Sequence, residues 1–333
     1  MLYFFLTLTS CCSNVVLLEI LMRKIPGCGN VVTFFQFLFI ALEGFIFTTK
    51  FGTVKPAVPI KNYAILVVMF FVVSVSNNWA FSFNISMPLH MIFKSGSLVT
   101  SMLMGMLIFK RRYTITKYLS VLMVSVGIFI ATWASQNLKS GGEYSSSTAL
   151  NQSVIGILLL SFSLIVSAGL GIYQEYIFKK YGKHPREALF YSHALPLPGF
   201  LLLSSDIRTR IPLFSNSESI ELFSLFSIPF LWICLIGNVL TQYICVRSVF
   251  TIATKYSSLT TTMLITLRKF ISLIISIMYF KNPFTPAHWL GTFLVFTGTL
   301  LFTDFRNLKE KEKFECKEKE EKIEYKENKK KFE

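Results

Sequence analysis

Long apolar runs separated by short polar breaks fill the chain from residue 1 to about residue 303. Ten can be drawn, near residues 1–22, 31–49, 60–81, 86–109, 115–134, 153–175, 188–204, 226–250, 256–280 and 285–303. A membrane with a hydrocarbon core of roughly 30 Å is crossed by about 20 helical residues, so each run predicts one transmembrane helix. The connections are short except 135–152, rich in Ser and Gly, and 205–225. The first run lacks a basic leading segment and a small-residue cleavage site, and is expected to be a retained helix.

Polar residues inside these runs are the next signal. The stretch from Ser257 to Lys281 carries Arg268 and Lys269 near its middle. At 1.5 Å per residue they lie about 18 Å from either end, too deep to snorkel easily to water. The default expectation is an internal aqueous cavity and an anionic partner. Lys94 lies similarly deep in the fourth run, with His90, Ser97 and Ser101 on its face at helical spacing. Few carboxylates could neutralise it: Glu19, Glu43 and Glu175. Arg suits bidentate phosphate oxygens and Lys is a compact point charge, so the three cations fit a pyrophosphate. Arg268 and Lys269 point about 100° apart on a helix, which leaves open whether both reach the cavity. Asn77, Asn78, Asn238, Thr241 and Gln242 are midmembrane groups suited either to sugar hydroxyls or to bonding between helices. Glu19 with Arg23, and Glu175 with Lys179, read as ion pairs at i,i+4. Gly105, Gly127, Gly291 and Gly298 are expected to permit close helix contact.

Composition agrees, with 53% hydrophobic residues, 15% charged and 34 Phe among 333. The net charge of +15 is not a property of the tail. Before residue 304 there are 22 Lys and Arg against 8 Asp and Glu, whereas 304–333 is nearly balanced. The excess suits membrane-flanking loops and an anionic cargo, with nothing that points to nucleic acid. With the N-terminus cytosolic, cytosolic loops hold twelve Lys and Arg and the opposite loops six, so the positive-inside rule places both termini in the cytosol. The six cysteines imply no disulfide framework. Asp206 and Asp304 are the only aspartates, and no paired carboxylates mark a metal or acid–base site; no catalytic residue, metal or cofactor is expected, and an enzyme is disfavoured.

A weak internal repeat is present. Shifting 94–134 by 171 lays Phe109-Lys110 on Phe280-Lys281, Thr114 on Thr285, Gly127 on Gly298 and Thr132 on Thr303. A shift of 156 lays Glu19 on Glu175, Arg23-Lys24 on Lys179-Lys180 and Phe34-Phe35 on Phe190-Tyr191. Two five-helix halves, about 1–134 and 153–304, follow; because five is odd, the second half enters from the opposite side. The fold class expected is an all-α polytopic membrane protein of ten transmembrane helices in two inverted five-helix repeats, with its site at midplane. Residues 1–304 form this domain and 305–333 a charged cytosolic tail.

Several runs carry a resemblance: PGCGNVVTF from Pro26, MPLHMIFKSGS from Met87, GKHPREALFYSHALPLPGF from Gly182, and TLRKF from Thr266 through NPFTPAHWLGT from Asn282. They resemble the nucleotide-sugar transporters of the solute carrier 35 family, subfamily B, the members that move UDP-N-acetylglucosamine and UDP-xylose. The resemblance implies the drug/metabolite transporter fold, exchange of cytosolic UDP-sugar for lumenal UMP, and a membrane of the endoplasmic reticulum or Golgi. It assigns the phosphates to Lys94-Ser95 and Arg268-Lys269. It assigns the base to Phe190-Tyr191 with Ser192-His193, where GDP-mannose carriers read Phe-Tyr-Asn-Asn; the missing amides argue against guanine. Against the assignment stand core packing of the aromatic pair and a satisfied core histidine at His193. The tail ends with Lys330-Lys331 at the third and fourth positions from the C-terminus, which resembles the dilysine signal read by coat proteins. The alternatives are a carrier of another phosphorylated metabolite, or a membrane adaptor without cargo.

Overall fold

In the computed structural model the described residues are 2–302 apart from 84, 111, 141–146, 183, 223–225 and 256–257. The tail beyond residue 302, with Lys330-Lys331, lies outside them, as do the side chains of Glu175 and Lys179. The helices are α1 (Leu2–Lys24), α2 (Gly29–Phe47), α3 (Ile60–Ser82), α4 (Met87–Lys94), α5 (Ser97–Phe109), α6 (Ile115–Ser140), α7 (Ser147–Tyr181), α8 (Pro185–Ala194), α9 (Ser204–Ser215), α10 (Phe230–Lys255), α11 (Ser258–Phe280) and α12 (Pro286–Phe302). A 3₁₀ helix, Leu197–Leu203, follows α8. Among the described residues six helices, α1, α2, α3, α6, α7 and α10, are long and apolar enough to cross a membrane, with stretches of 19 to 27 residues. The chain is thus an essentially all-helical, multi-pass membrane protein.

Local chemistry sets the boundaries. Ser86 caps α4, its side chain accepting from the Leu89 amide, and Pro88 fits the first turn, where an amide hydrogen has no helical partner. Pro185 opens α8 in the same way. The run read as a single helix over 86–109 is two, because at Ser95 and Gly96 the bonds tighten to i→i−3, with Ser95 N donating to Ile92 O and Gly96 N to Phe93 O. Lys94 is the last residue before this turn. The segment 205–225, read as a loop, contains α9, and a small antiparallel hairpin follows, Ser219–Leu222 with Phe226–Pro229.

Exposure follows the logic of lipid. Leu107, Phe129, Leu158 and Phe293 are at least 63% exposed, while Thr7, Asn14, Ser120, Asn238 and Ser276 are buried. Apolar groups lose nothing facing acyl chains, whereas polar groups must find partners inside. The helix pairing is regular: α1 packs on α10 and α11, α3 and α5 on α7, α2 on α8, and α6 on α12. Gly127 and Gly291 face one another in the α6–α12 crossing, where a Cβ on either would meet the other's carbonyl oxygen. Gly44 gives α2 and α8 the same proximity, its missing Cβ replaced by the Phe190 ring.

One expectation is corrected here. The sequence implies no disulfide framework, yet Cys11 of α1 and Cys245 of α10 are bonded, with Cα atoms 4.9 Å apart. Linear spacing carries no trace of a pair 234 residues apart on two apolar helices.

Candidate functional site

A cavity of about 320 Å³ opens inside the bundle. Residues of α1, α2, α3, α4, α8, α10 and α11 line it, among them the polar side chains of Asn14, Gln36, Asn77, Gln242 and Ser272. Lys94 reaches it from the end of α4, and both Arg268 and Lys269 reach it from α11. Among the described residues the ion pairs are Glu19–Arg23, Asp206–Arg210 and Glu43–Arg247, none of which involves these three cations. Arg268 donates weakly to the Cys245 sulfur at 3.5 Å, and its Nε is buried without a partner. Three clustered cations without a counter-ion are costly at this depth, and an anionic ligand removes the cost.

The other expected residues divide. His193, Asn77, Asn78 and Gln242 line the same cavity. Asn78 directs its Nδ2 to Thr33 Oγ1 at 2.8 Å and Asn30 Oδ1 at 3.3 Å. Asn238, fully buried, lies behind the wall and bonds Asn14 and Gln36. Ser95 is buried with its hydroxyl turned to Met91 O. Phe190 packs on Gly44, and Tyr191 stacks on Tyr63 at 4.8 Å, whose hydroxyl donates to Glu187. Neither ring lines the central cavity. Ser97 and Ser101 do not line it either: they belong to α5, a separate helix that begins beyond the tight turn ending α4.

Residues that sequence reasoning passed over include Asn14, Gln36, Ser74 and Ser272 on the polar side, with Phe37 and Phe70 beside His193. Each of the four is a polar residue inside an apolar run, the signal that picked out Asn77. Phe37 and Phe70 carry no such mark, since rings are common throughout the chain.

Two further hollows continue the line of the cavity. Along α2, α8 and α10 lies one of about 290 Å³, bordered by Glu43, Arg186, Phe190, Tyr243 and Arg247. Glu43 accepts from Tyr243 Oη at 2.6 Å and Arg247 at 2.9 Å. At the other end, one of about 310 Å³ is bordered by Glu19, Arg23 and Asn282 and shares Phe81 and Met87 with the central cavity. Among the described residues no group of three or more His, Cys, Asp or Glu side chains comes together that could hold a metal.

A lipid-facing shell around a polar, cation-lined hollow defines a membrane transporter. The chain matches the model of the UAA transporter family over residues 1–306, and it belongs to that family, one of transporters and not enzymes. It is 57% identical over 304 residues to a protein of Danio rerio described as a UDP-xylose and UDP-N-acetylglucosamine transporter, covering 90% of this chain and 92% of that one. It is 53% identical to the Homo sapiens nucleotide sugar transporter SLC35B4, covering 91% and 93%. It is also 49% identical to a Drosophila melanogaster endoplasmic reticulum GDP-fucose transporter, covering 89% and 88%.

Proposed function

We propose that this protein is a nucleotide-sugar antiporter. It carries a UDP-sugar, UDP-N-acetylglucosamine or UDP-xylose, from the cytosol into the lumen of the endoplasmic reticulum or Golgi, and returns UMP. What carries the proposal is the convergence of Lys94, Arg268 and Lys269 on one cavity with no carboxylate paired to any of them among the described residues. A diphosphate supplies the missing charge, with Arg268 on its oxygens and the two lysines as point charges. His193 and Gln242, with Asn77, remain as contacts for the uncharged part of the ligand.

The ten-span inverted repeat belongs to the same proposal, α4 with α5 counting as one span and α8 with the 3₁₀ helix as another. Exchanging spans one to five with six to ten turns the α1–α10 pair into α7–α3, and α1–α11 into α7 with the fourth span, while α2–α8 and α6–α12 map onto themselves. All of these pairs are present, as a pseudo-two-fold axis requires. Because α1 packs on and is bonded to α10, and α3 packs on α7, each body that rocks about the site mixes helices of both repeats. Both termini are cytosolic in this arrangement, which leaves Lys330-Lys331 open to coat proteins.

The similarity to a GDP-fucose transporter favours a second cargo, a guanine nucleotide-sugar. Proteoliposomes preloaded with UMP or GMP and offered a panel of labelled nucleotide-sugars decide between them. Uptake driven by UMP and saturated by UDP-N-acetylglucosamine or UDP-xylose is expected. Uptake driven only by GMP overturns the uridine assignment, and no uptake overturns the carrier.

A further inference from the structure

We infer that Gln36 is a specificity-determining residue whose side-chain carbonyl accepts a hydrogen bond from an O–H or N–H of the cargo, its direction fixed by a relay through Asn238 to the backbone of α1. This rests on the nucleotide-sugar assignment above.

The relay begins at an atom whose role is not open to choice. Asn238 Nδ2 lies 3.0 Å from the backbone carbonyl oxygen of Asn14, and a carbonyl only accepts. The Asn238 amide is therefore set with its nitrogen toward α1 and its Oδ1 away. Asn14 returns a bond from its own Nδ2 to Asn238 O at 2.9 Å, so the pair is locked reciprocally. Oδ1 of Asn238 then accepts from Gln36 Nε2 at 2.7 Å. That leaves Gln36 Oε1 as the free end of the chain; it has no protein partner among the described residues, and Gln36 lines the cavity. Rotating the amide would bring two oxygens together at the Asn238 end, so the polarity is held.

An acceptor there complements the three cations that share the cavity. Lys94, Arg268 and Lys269 present donors only. Gln36 precedes Phe37, whose ring meets His193 at 4.7 Å. His193 Nδ1 lies 2.8 Å from Leu189 O, again a carbonyl that can only accept, so a neutral ring offers Nε2 as a second acceptor. The cavity is thus polarised, with cations for phosphate on α4 and α11 and fixed acceptors on α2 and α8. A ligand that satisfies both carries an anionic group and a donor group. In a uridine nucleotide-sugar that donor is the imide N–H of the base, a ribose hydroxyl or a sugar hydroxyl.

The test measures inhibition of exchange in proteoliposomes by UMP, 3-methyl-UMP, 2′-deoxy-UMP, UDP and UDP-N-acetylglucosamine, for the native protein and Gln36→Met. Gln36→Met is expected to weaken the cognate ligand about tenfold and to erase discrimination at one donor only. Loss of the preference for UMP over 3-methyl-UMP assigns the imide, over 2′-deoxy-UMP the ribose, and of UDP-N-acetylglucosamine over UDP the sugar. Should Gln36→Met fail to fold, Gln36→Leu is measured in its place. A folded variant that keeps every preference of the native protein overturns the inference. Failure of all five compounds to inhibit native exchange removes the nucleotide-sugar assignment and the inference with it.

Discussion

The carboxylate of Glu19 in α1 and the hydroxyl of Ser276 in α11 lie 2.5 Å apart. Asn282 donates to the same carboxylate at 2.8 Å and Arg23 at 3.2 Å, and Arg23 also reaches Asn282 Oδ1 at 2.6 Å. Glu19 is only 3% exposed, so its charge depends on these donors. The group ties α1 to the end of α11 where the hollow of Glu19, Phe81 and Met87 adjoins the cavity. Glu19→Ala leaves buried donors without an acceptor and is expected to cost about 1–3 kcal/mol, read as a lower Tm in detergent. A double-mutant cycle with Asn282→Ala is expected to be non-additive; additive losses would mean the two side chains act independently.

Lys269 and Lys94 approach the cavity from α11 and α4, and each is expected to be indispensable for exchange. Lys269→Ala or Lys94→Gln is expected to lower uptake more than tenfold, with insertion and gel-filtration profile unchanged, because a cation facing a cavity holds up no packing. Inhibition by uridine, which lacks phosphate, is expected to change less than inhibition by UMP. Full transport by either variant would remove that lysine from the site.

Much of this was legible in the sequence, and the residues show why. Ionisable groups such as Lys94, Arg268 and Lys269 stand out in apolar runs because the cost of burying them is large. Direction is less legible: Asn77 and Asn238 look alike as midmembrane amides, yet one lines the cavity and the other braces the wall behind it. The difference depends on helix rotation, which a run apolar on most faces does not encode. The tight turn at Ser95 and Gly96 divides the run 86–109 into α4 and α5, so the stripe drawn through Lys94, Ser97 and Ser101 is not carried on one helix, and the two serines miss the cavity. Phe190 and Tyr191, marked by resemblance, pack on Gly44 and Tyr63, relations set by tertiary contacts alone.

The α6–α12 crossing depends on Gly127 and Gly291. A side chain at either meets backbone oxygen of the opposing helix, which cannot move aside as a flexible side chain can. Gly291→Leu is expected to separate the helices and destabilise the protein by about 1–3 kcal/mol, seen as a lower yield of monodisperse protein and a reduced Tm. Gly171, with open space around its would-be Cβ, is the control, and Gly171→Ala is expected to be neutral or slightly stabilising. Equal behaviour of the two variants would show that the crossing tolerates expansion.

The Cys11–Cys245 bond makes the last prediction, because it constrains which helices can part during transport. Alkylation in denaturant without reductant is expected to leave Cys11 and Cys245 unmodified and joined in one cross-linked peptide, while Cys12, Cys28 and Cys234 react. Burial pushes the Cys28 thiol up to about 12, so in folded protein it is expected to resist maleimide. If α1 and α10 travel as one body, a bond between them restrains nothing in the cycle. Exchange by oxidised protein is then expected to stay within twofold of that after reduction or in Cys11→Ser. A several-fold rise on reduction would instead place the sliding surface between α1 and α10, and the two moving bodies would have to be redrawn along that line.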